Sequence, residues 1–500
     1  MKSFWNIELD DDITIDVIRD SPLSPDQIST IYEKFSKDQD QYQSIPFEKL
    51  SFEDLFVLEC IIIKSHNGYD PTKLLDFLKH SLDIPDGINW NREVDTSLKN
   101  KYYHYLRLLR VISNHSDDIS AFVSVISYHI NPHTPWSSMT NSLLIKDIIS
   151  SSSKKQESIQ QILPDFIAVN WKQNLLKIES TGKHTALNPR LGKIVEDDIR
   201  KSWKSSSKVK SISMTWFIIS ESNDIVFETN WRLLISFILN ILDDHEPVFK
   251  YHACLLINLL LARFVKSSKL YLLKNSGLSQ ILSDSIKKCL NYLPPSTPES
   301  ISGMLLEEAY RGLYLIIESS DDQVLAVVAI INDDIVSSLS RLLLDKPSKV
   351  TLLLIKQLDY IITNVLHTRV MLAFSKVVYL INQVITNGNL YWQTGLELDI
   401  ILAALNTQNS LFEQFISLGD VESFNLISTY KYDFFGAWSI VLNRSNNGKN
   451  ETLVATVKEN LSQLAVIMER SDNKGNSSFN DIVNELSQKV PGMEKYLEIV

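Results

Sequence analysis

The stretch that most constrains this chain is LDDHEPVFKYHACLLINLL at 242–260. An apolar run from Leu233 to Leu242 stops at the acidic turn Asp243-Asp244-His245-Glu246, and Pro247 opens a second apolar run that reaches about Val265. Proline suits a first helical position, because the N–H it lacks would be unpaired there and its φ is already helical. Carboxylates just ahead of it complement the positive end of the helix dipole. Leu234, Ile235, Ile238 and Leu242 keep helical spacing in the first run; Phe249, Ala253, Leu256, Ile257 and Leu260 keep it in the second. Two amphipathic helices joined by so short a turn are expected to lie antiparallel and back to back, as one unit of an α-solenoid.

The residue types narrow this further. Leu-Asp-Asp-x-x-Pro-x-Phe-Lys-x-x-Ala resembles the HEAT-repeat signature, with an unremarkable helical bundle as the alternative. The turn carboxylate is expected to cap the second helix and to reach a basic residue of a neighbouring repeat, while small Ala253 lets two backbones approach. Composition agrees with an all-α reading: glycine (14) and proline (15) together are roughly half the usual share, so helix breakers are scarce. At 500 residues the chain exceeds one compact core, and several domains or an extended array follows. Beyond residue 317 apolar helical runs recur, near Val324–Asn332, Val336–Leu344, Val350–Leu366, Val370–Ile385, Leu396–Leu405 and Leu411–Leu418. Taken in pairs they make units of about 40 residues, the HEAT period.

The expected organisation is an acidic, loosely ordered lead at 1–45, a helical region at 46–180, an irregular polar and basic loop at 181–210, a HEAT-like array at 211–450 best defined over 231–317, and C-terminal helices with flexible loops at 451–500. Ser21 and Ser24 each precede a proline, where turn initiation or phosphorylation both fit. Trp136, flanked by Pro132 and Pro135, reads as a plug between helices in preference to a ligand-stacking ring. Lys201, Lys204, Lys208 and Lys210 read as a solvated basic loop, with a nuclear-import or acidic-partner patch as the alternative. The net charge of −11 argues against a general nucleic-acid binder. Three cysteines, Cys60, Cys254 and Cys289, make no disulfide framework, and the last two sit among apolar helix residues as buried thiols. The N-terminus lacks a signal-peptide pattern, and unbroken apolar runs such as ACLLINLLLARF (253–264) fall short of the roughly 20 residues of a membrane span, so a soluble intracellular protein is expected.

No catalytic, cofactor or metal site is legible. Thr181-Gly182-Lys183-His184 fails as a phosphate-binding loop, since position 177 is Lys and no hydroxyl follows Lys183. His245 and His252 are seven residues apart with Pro247 between them; about 10 Å of helical rise would separate them, too far for one zinc. Asp243, Asp244 and Glu246 are explained by the capping of a turn. An enzyme on a helical scaffold is therefore the least favoured reading.

The motifs, taken in order, resemble one family. Trp231, the Leu-Asp-Asp-x-x-Pro-x-x-Lys hairpin (Asp243, Asp244, His245, Pro247, Lys250), the Ser-Gly-Leu helix at Gly277, the Cys-Leu-x-x-Leu-Pro-x-x-Thr-Pro-Glu bridge (Leu293, Thr297, Pro298, Glu299) and an Ala-Tyr helix at Tyr310 follow one another within 231–317. This succession is similar to the Tel-two-interacting protein two family, and Ser202-Trp203-Lys204 with Trp216 resembles its upstream pattern more loosely. Ala253 stands where many members have glycine, and the Ser, Asn and Asp content suggests a fungal member. The resemblance implies a HEAT-repeat, non-catalytic subunit of the Triple T (TTT) complex without cofactors. It further implies work in the cytoplasm and nucleus with Tel-two and Tel-two-interacting protein one, and with the ninety-kilodalton heat-shock chaperone machinery. The clients implied are phosphatidylinositol-3-kinase-related kinases, including the TOR and DNA-damage checkpoint kinases; in fungi the ASTRA assembly is implied as well. No direct nucleic acid or membrane partner is implied. A different HEAT adaptor, a transport receptor or a phosphatase scaffold, is the alternative.

Overall fold

A computed structural model describes residues 52–64, 71–90, 96–113, 120–150, 155–169, 198–318, 323–390, 395–445, 451–471 and 479–489, together with Asp26, Ser29 and Glu33. The expectations for Ser21 and Ser24 and for Thr181 to Lys183 lie outside the described residues. Among the described residues there is no strand: the chain is all-α. It divides into two compact units, 1–240 and 241–500.

In the first unit the helices are α1 (Phe52–Lys64), α2 (Pro71–Ser81), α3 (Thr96–Ser113), α4 (Ser120–Ser127), α5 (Met139–Ser150), α6 (Lys155–Val169) and α7 (Ser211–Glu221), followed by most of α8 (Asp224–Leu242). α3 packs on α1, α2 and α5, while α6 packs on α4 and α7. The segment between α4 and α5 closes over Trp136, which is fully buried and donates its indole N–H to Tyr128 O at 2.7 Å. The plugging role expected of this tryptophan is the one it has. Buried polar groups hold the same segment: a His129 ring nitrogen bonds Leu82 O at 2.7 Å, Ser137 Oγ donates to His129 O, and Ser213 Oγ of α7 donates to Ser127 O at 3.0 Å.

The basic stretch differs from its loop reading. Residues 198–205 are helical and Ser207–Lys210 is a 3-10 turn, because Arg200 and Trp203, one turn apart, both bury their side chains. Lys210 is not solvated either; its ammonium meets Asp83 at 2.7 Å and lies 4.3 Å from the centre of the Tyr128 ring.

The second unit begins inside α8. Its helices are α9 (Pro247–Lys266), α10 (Leu270–Asn275), α11 (Leu278–Cys289), α12 (Glu299–Glu318), α13 (Gln323–Ala329), α14 (Val336–Leu342), α15 (Lys349–Tyr360), α16 (Phe374–Thr386), α17 (Gly395–Leu418), α18 (Val421–Thr429), α19 (Lys431–Ser445), α20 (Glu451–Arg470) and α21 (Phe479–Lys489). One layer steps from α9 to α12, α15, α17 and α20, each packed on the next. A second layer covers it: α11 lies on α12, α14 on α16, and α16 on α17 and α19, with α19 on α20. This two-layer succession is the packing of an α-solenoid, in which each pair is held by its neighbours. Side-chain bonds tie successive turns: Asn387 Nδ2 donates to Leu343 O at 3.0 Å, and Asn460 Nδ2 to Leu405 O at 3.0 Å.

Helix boundaries depart from the apolar pattern in three places. The gap expected between Asn332 and Val336 is a π-helical turn, Ile330–Ile335, that joins α13 to α14 without a loop. A second π turn (Ile361–Leu366) and a 3-10 turn (His367–Ala373) likewise join α15 to α16, with His367 at φ 50. The two helices expected over 396–418 are one, α17. Its polar interruption is buried and paired: Thr407 Oγ1 donates to Ala403 O at 2.8 Å and Gln408 Nε2 to Asn382 Oδ1 at 2.7 Å.

Continuous helices also change the membrane arithmetic. By length and composition alone, 224–242, 247–266, 323–342 and 349–386 are long and apolar enough to cross a bilayer, because mean hydropathy tolerates scattered polar residues that break an unbroken run. In the packed unit, 72% of the 247–266 window is buried.

Candidate functional site

The motif-bearing segment from the acidic turn to Ile317 is built around α9. Its turn holds itself: Asp244 is buried and Oδ1 accepts the Glu246 N–H at 2.8 Å. That bond closes the turn just ahead of α9. The capping residue of α9 is Glu246, which makes no side-chain cap bond, and Pro247 occupies the first turn as expected. Asp243 and His245 are exposed, and Pro247 is half-buried.

Lys250 is buried, which is unusual for a lysine. Its ammonium donates to Leu242 O at 2.6 Å and lies 5.3 Å from the Tyr292 ring centre. One turn on, Cys254 is buried, as is Cys289 at the end of α11, whose thiol donates to Ser285 O at 3.8 Å. The hairpin lysine and Tyr292 of the Cys-Leu-x-x-Leu-Pro bridge thus converge, although the sequence holds them far apart. The neighbouring Cys289 thiol and burial hold the Cys254 thiol well above its ordinary pKa, while Cys254 and the Lys250 ammonium draw the Cys289 thiol below its own.

The bridge itself is a folded turn. Leu293 is buried, Thr297 N–H donates to Leu293 O at 3.1 Å, and Ser302 Oγ reaches back to Tyr292 O at 2.7 Å. The Pro294–Pro295 bond is cis. Gly277, at φ 71, makes the left-handed junction between α10 and α11 that a side chain would strain. Glu299 opens α12, and its carboxylate accepts the Lys349 N–H at the start of α15. This glutamate thus ties α12 to the start of α15.

α12 lies along α9. Tyr310 is buried and stacks on Tyr314 at 6.1 Å, which stacks on Tyr360 of α15 at 5.2 Å. Burial holds the Tyr310 hydroxyl well above its ordinary pKa, so it stays protonated. Trp231 belongs to the first unit, where it is buried on α8 with the Arg232 guanidinium 5.6 Å from its ring centre.

Sequence reading missed one close contact of the segment. Asn258 is buried and donates to Glu308 O at 3.0 Å and Glu308 Oε2 at 2.6 Å. Opposite it, a Cβ on Gly312 would lie 2.8 Å from Asn258 Oδ1. The one available signal was a glycine inside an otherwise strong helix.

Chemically the segment offers packing and pairing. Among the described residues no three His, Cys, Asp or Glu side chains gather as metal ligands, and His252 is buried while His245 faces solvent. Exposed apolar side chains of the second unit include Met304, Leu325, Leu344, Tyr379 and Tyr432. The last two border a groove of about 470 Å³ between α16 and α19, floored by Gly436 and Ala437. Such features suit contact with another protein.

The model of the Tti2 family matches residues 122–390, a little over half of the chain, and takes in the whole segment described above. No curated protein matches it.

Proposed function

Because the chain belongs to the Tti2 family, we propose that it is a non-catalytic scaffold subunit of the Triple T co-chaperone complex. In this reading it binds Tel-two and Tel-two-interacting protein one. With the ninety-kilodalton heat-shock chaperone machinery, it supports the maturation of phosphatidylinositol-3-kinase-related kinases, and in a fungal cell it also serves the ASTRA assembly. It works in the cytoplasm and the nucleus, with no direct membrane or nucleic-acid partner.

The observation that carries this is the use to which the motif is put. Lys250, Asp244, Leu293, Thr297 and Tyr310 are all buried: Lys250 and Asp244 close the hairpin turn, Leu293 and Thr297 the bridge, and Tyr310 joins the ring stack that reaches α15. A motif spent on packing suits a protein whose product is a surface, and a solenoid offers a long one at small cost in core. Of the motif residues, Asp243, His245, Gly277, Pro298 and Glu299 are exposed, and these are the ones a partner touches.

Leu256→Pro tests the reading. Leu256 is fully buried in α9, where a proline removes a helix bond and clashes, at about 3 kcal/mol or more. In cells, the variant is expected to lose co-purification of both partner subunits and to lower the levels of the kinases. Normal partner association by a chain whose central helices are demonstrably unfolded would overturn the proposal, and recovery of transport factors or phosphatase subunits in place of those partners would replace it.

A further inference from the structure

In the outer layer of the second unit, the groove between α16 and α19 has the dimensions of a helix seat. It runs from Ser375 to Thr386, about 16 Å by the helical rise, or three turns of a further helix. Tyr379 of α16 and Tyr432 of α19, on its two sides, remain 68% and 56% exposed. The floor is low: a Cβ on Gly436 would meet nothing within 4 Å, and Ala437 follows it. Aromatic sides over a floor of small residues admit the ridge of a packing helix.

The polar groups of this groove call for donors. Asp433 is the charged side chain of the lining; it is exposed, and among the described residues no cation pairs with it. Gln383 Oε1 has no donor either. The Tyr379 ring has no ring or cation partner among the described residues, whereas Tyr432 already has the Lys431 ammonium 5.3 Å from its centre. Favourable placement near the helix dipole accounts for an acid in the first turn of α19, but not for two exposed rings above an open floor. A carboxylate and a bare tyrosine lining one groove match a guanidinium best. That group stacks flat on a ring, donates in its own plane to a carboxylate, and brings no acceptor to leave unpaired.

We propose that the groove between α16 and α19 is a docking surface for an arginine-bearing helix of a partner protein, the arginine stacking on Tyr379 and pairing with Asp433. This rests on the scaffold reading and assigns one partner contact to helices other than those of the motif.

The test mixes the purified full chain with the two partner subunits. No binding by the unaltered chain would overturn the scaffold reading and the groove together. Gly436→Leu fills the groove at a point with room for a side chain, and Asp433→Arg reverses its charge. Each should weaken binding at least tenfold at an unchanged urea midpoint; Tyr379→Ala, at an exposed site, gives the same readout should Gly436→Leu disturb packing. Hydrogen exchange of the partners should reveal one helical segment, holding an arginine, that the unaltered chain protects and the Gly436→Leu chain does not. Replacing that arginine with glutamate should weaken binding to the unaltered chain and restore binding to the Asp433→Arg chain. Full binding by the groove variants, a protected segment without arginine, or a charge exchange that restores nothing would each overturn the groove while the scaffold role stands.

Discussion

Gly303 and Gly312 lie on the same helix, and their surroundings predict opposite responses to one added carbon. Nothing stands within 4 Å of a Cβ at Gly303, whereas one at Gly312 meets Asn258 Oδ1 at 2.8 Å. That amide cannot swing away freely, because its nitrogen is fixed by two bonds to Glu308. Gly303→Ala should therefore stabilise the protein, by up to about 1 kcal/mol through helix propensity. Gly312→Ala should destabilise it by about 1–3 kcal/mol despite the same propensity gain. Urea unfolding of the two variants checks the signs, and equal shifts would remove Asn258 as the cause. His129 makes the other residue-scale prediction. It is fully buried, with Tyr102 against its ring at 4.4 Å, and burial pushes its pKa from 6.5 down to about 4; the Leu82 carbonyl and nearby Asp83 oppose the shift without cancelling it. The folded state thus binds fewer protons than the unfolded chain between those values, so stability rises with pH there. The contribution is intact above pH 6.5, drains away as pH falls toward 4, and amounts to roughly 3 kcal/mol. His129→Gln should flatten the pH dependence of the unfolding midpoint over that window; an unchanged slope would place the titration elsewhere.

Helices were legible where apolar spacing and breakers agreed, and misread where buried polar residues mimicked a break. Pro247 and the spacing of Phe249, Ala253, Leu256 and Leu260 gave α9 directly, since a proline-opened amphipathic run admits one local solution. Thr407-Gln408-Asn409 separates two apolar runs in the sequence, yet it lies inside α17. Gln408 is instead fully buried, donating to Asn382 and accepting from the Trp438 indole at 2.8 Å. Partners that far along the chain leave no local trace, and a buried polar group is tolerated only when such partners exist. The same limit applies to the candidate site. The motif residues could be picked out from their order, but the roles of Lys250, Cys254, Cys289 and Glu299 depend on which turns the fold sets side by side. The basic run at 198–210 shows the reverse error: lysines suggested solvent, while Arg200 and Trp203 carry the burial that makes it helical.

At the scale of the whole molecule, the layered packing of 241–500 sets how far a local change travels. Each helical pair touches its neighbours, so stability is close to a sum of pair and interface terms, and a defect should fade over one or two repeats. Trp438 is a suitable place to introduce one. It is buried in α19, packs on Phe412 and Phe434, and satisfies Gln408 Oε1 of α17. Trp438→Phe keeps most of the ring volume but strands that buried oxygen, a loss of about 1–3 kcal/mol. Hydrogen exchange should quicken in α16, α17 and α19, which share the Asn382–Gln408–Trp438 chain of bonds, and should stay as in the unaltered protein in α9 and α12. Uniform acceleration from α9 to α20 would mean that the unit opens as one cooperative core. Confined acceleration would mean that distant repeats hold their surfaces independently. In the proposed scaffold role that independence matters, because a partner loosening one pair would leave the next able to bind.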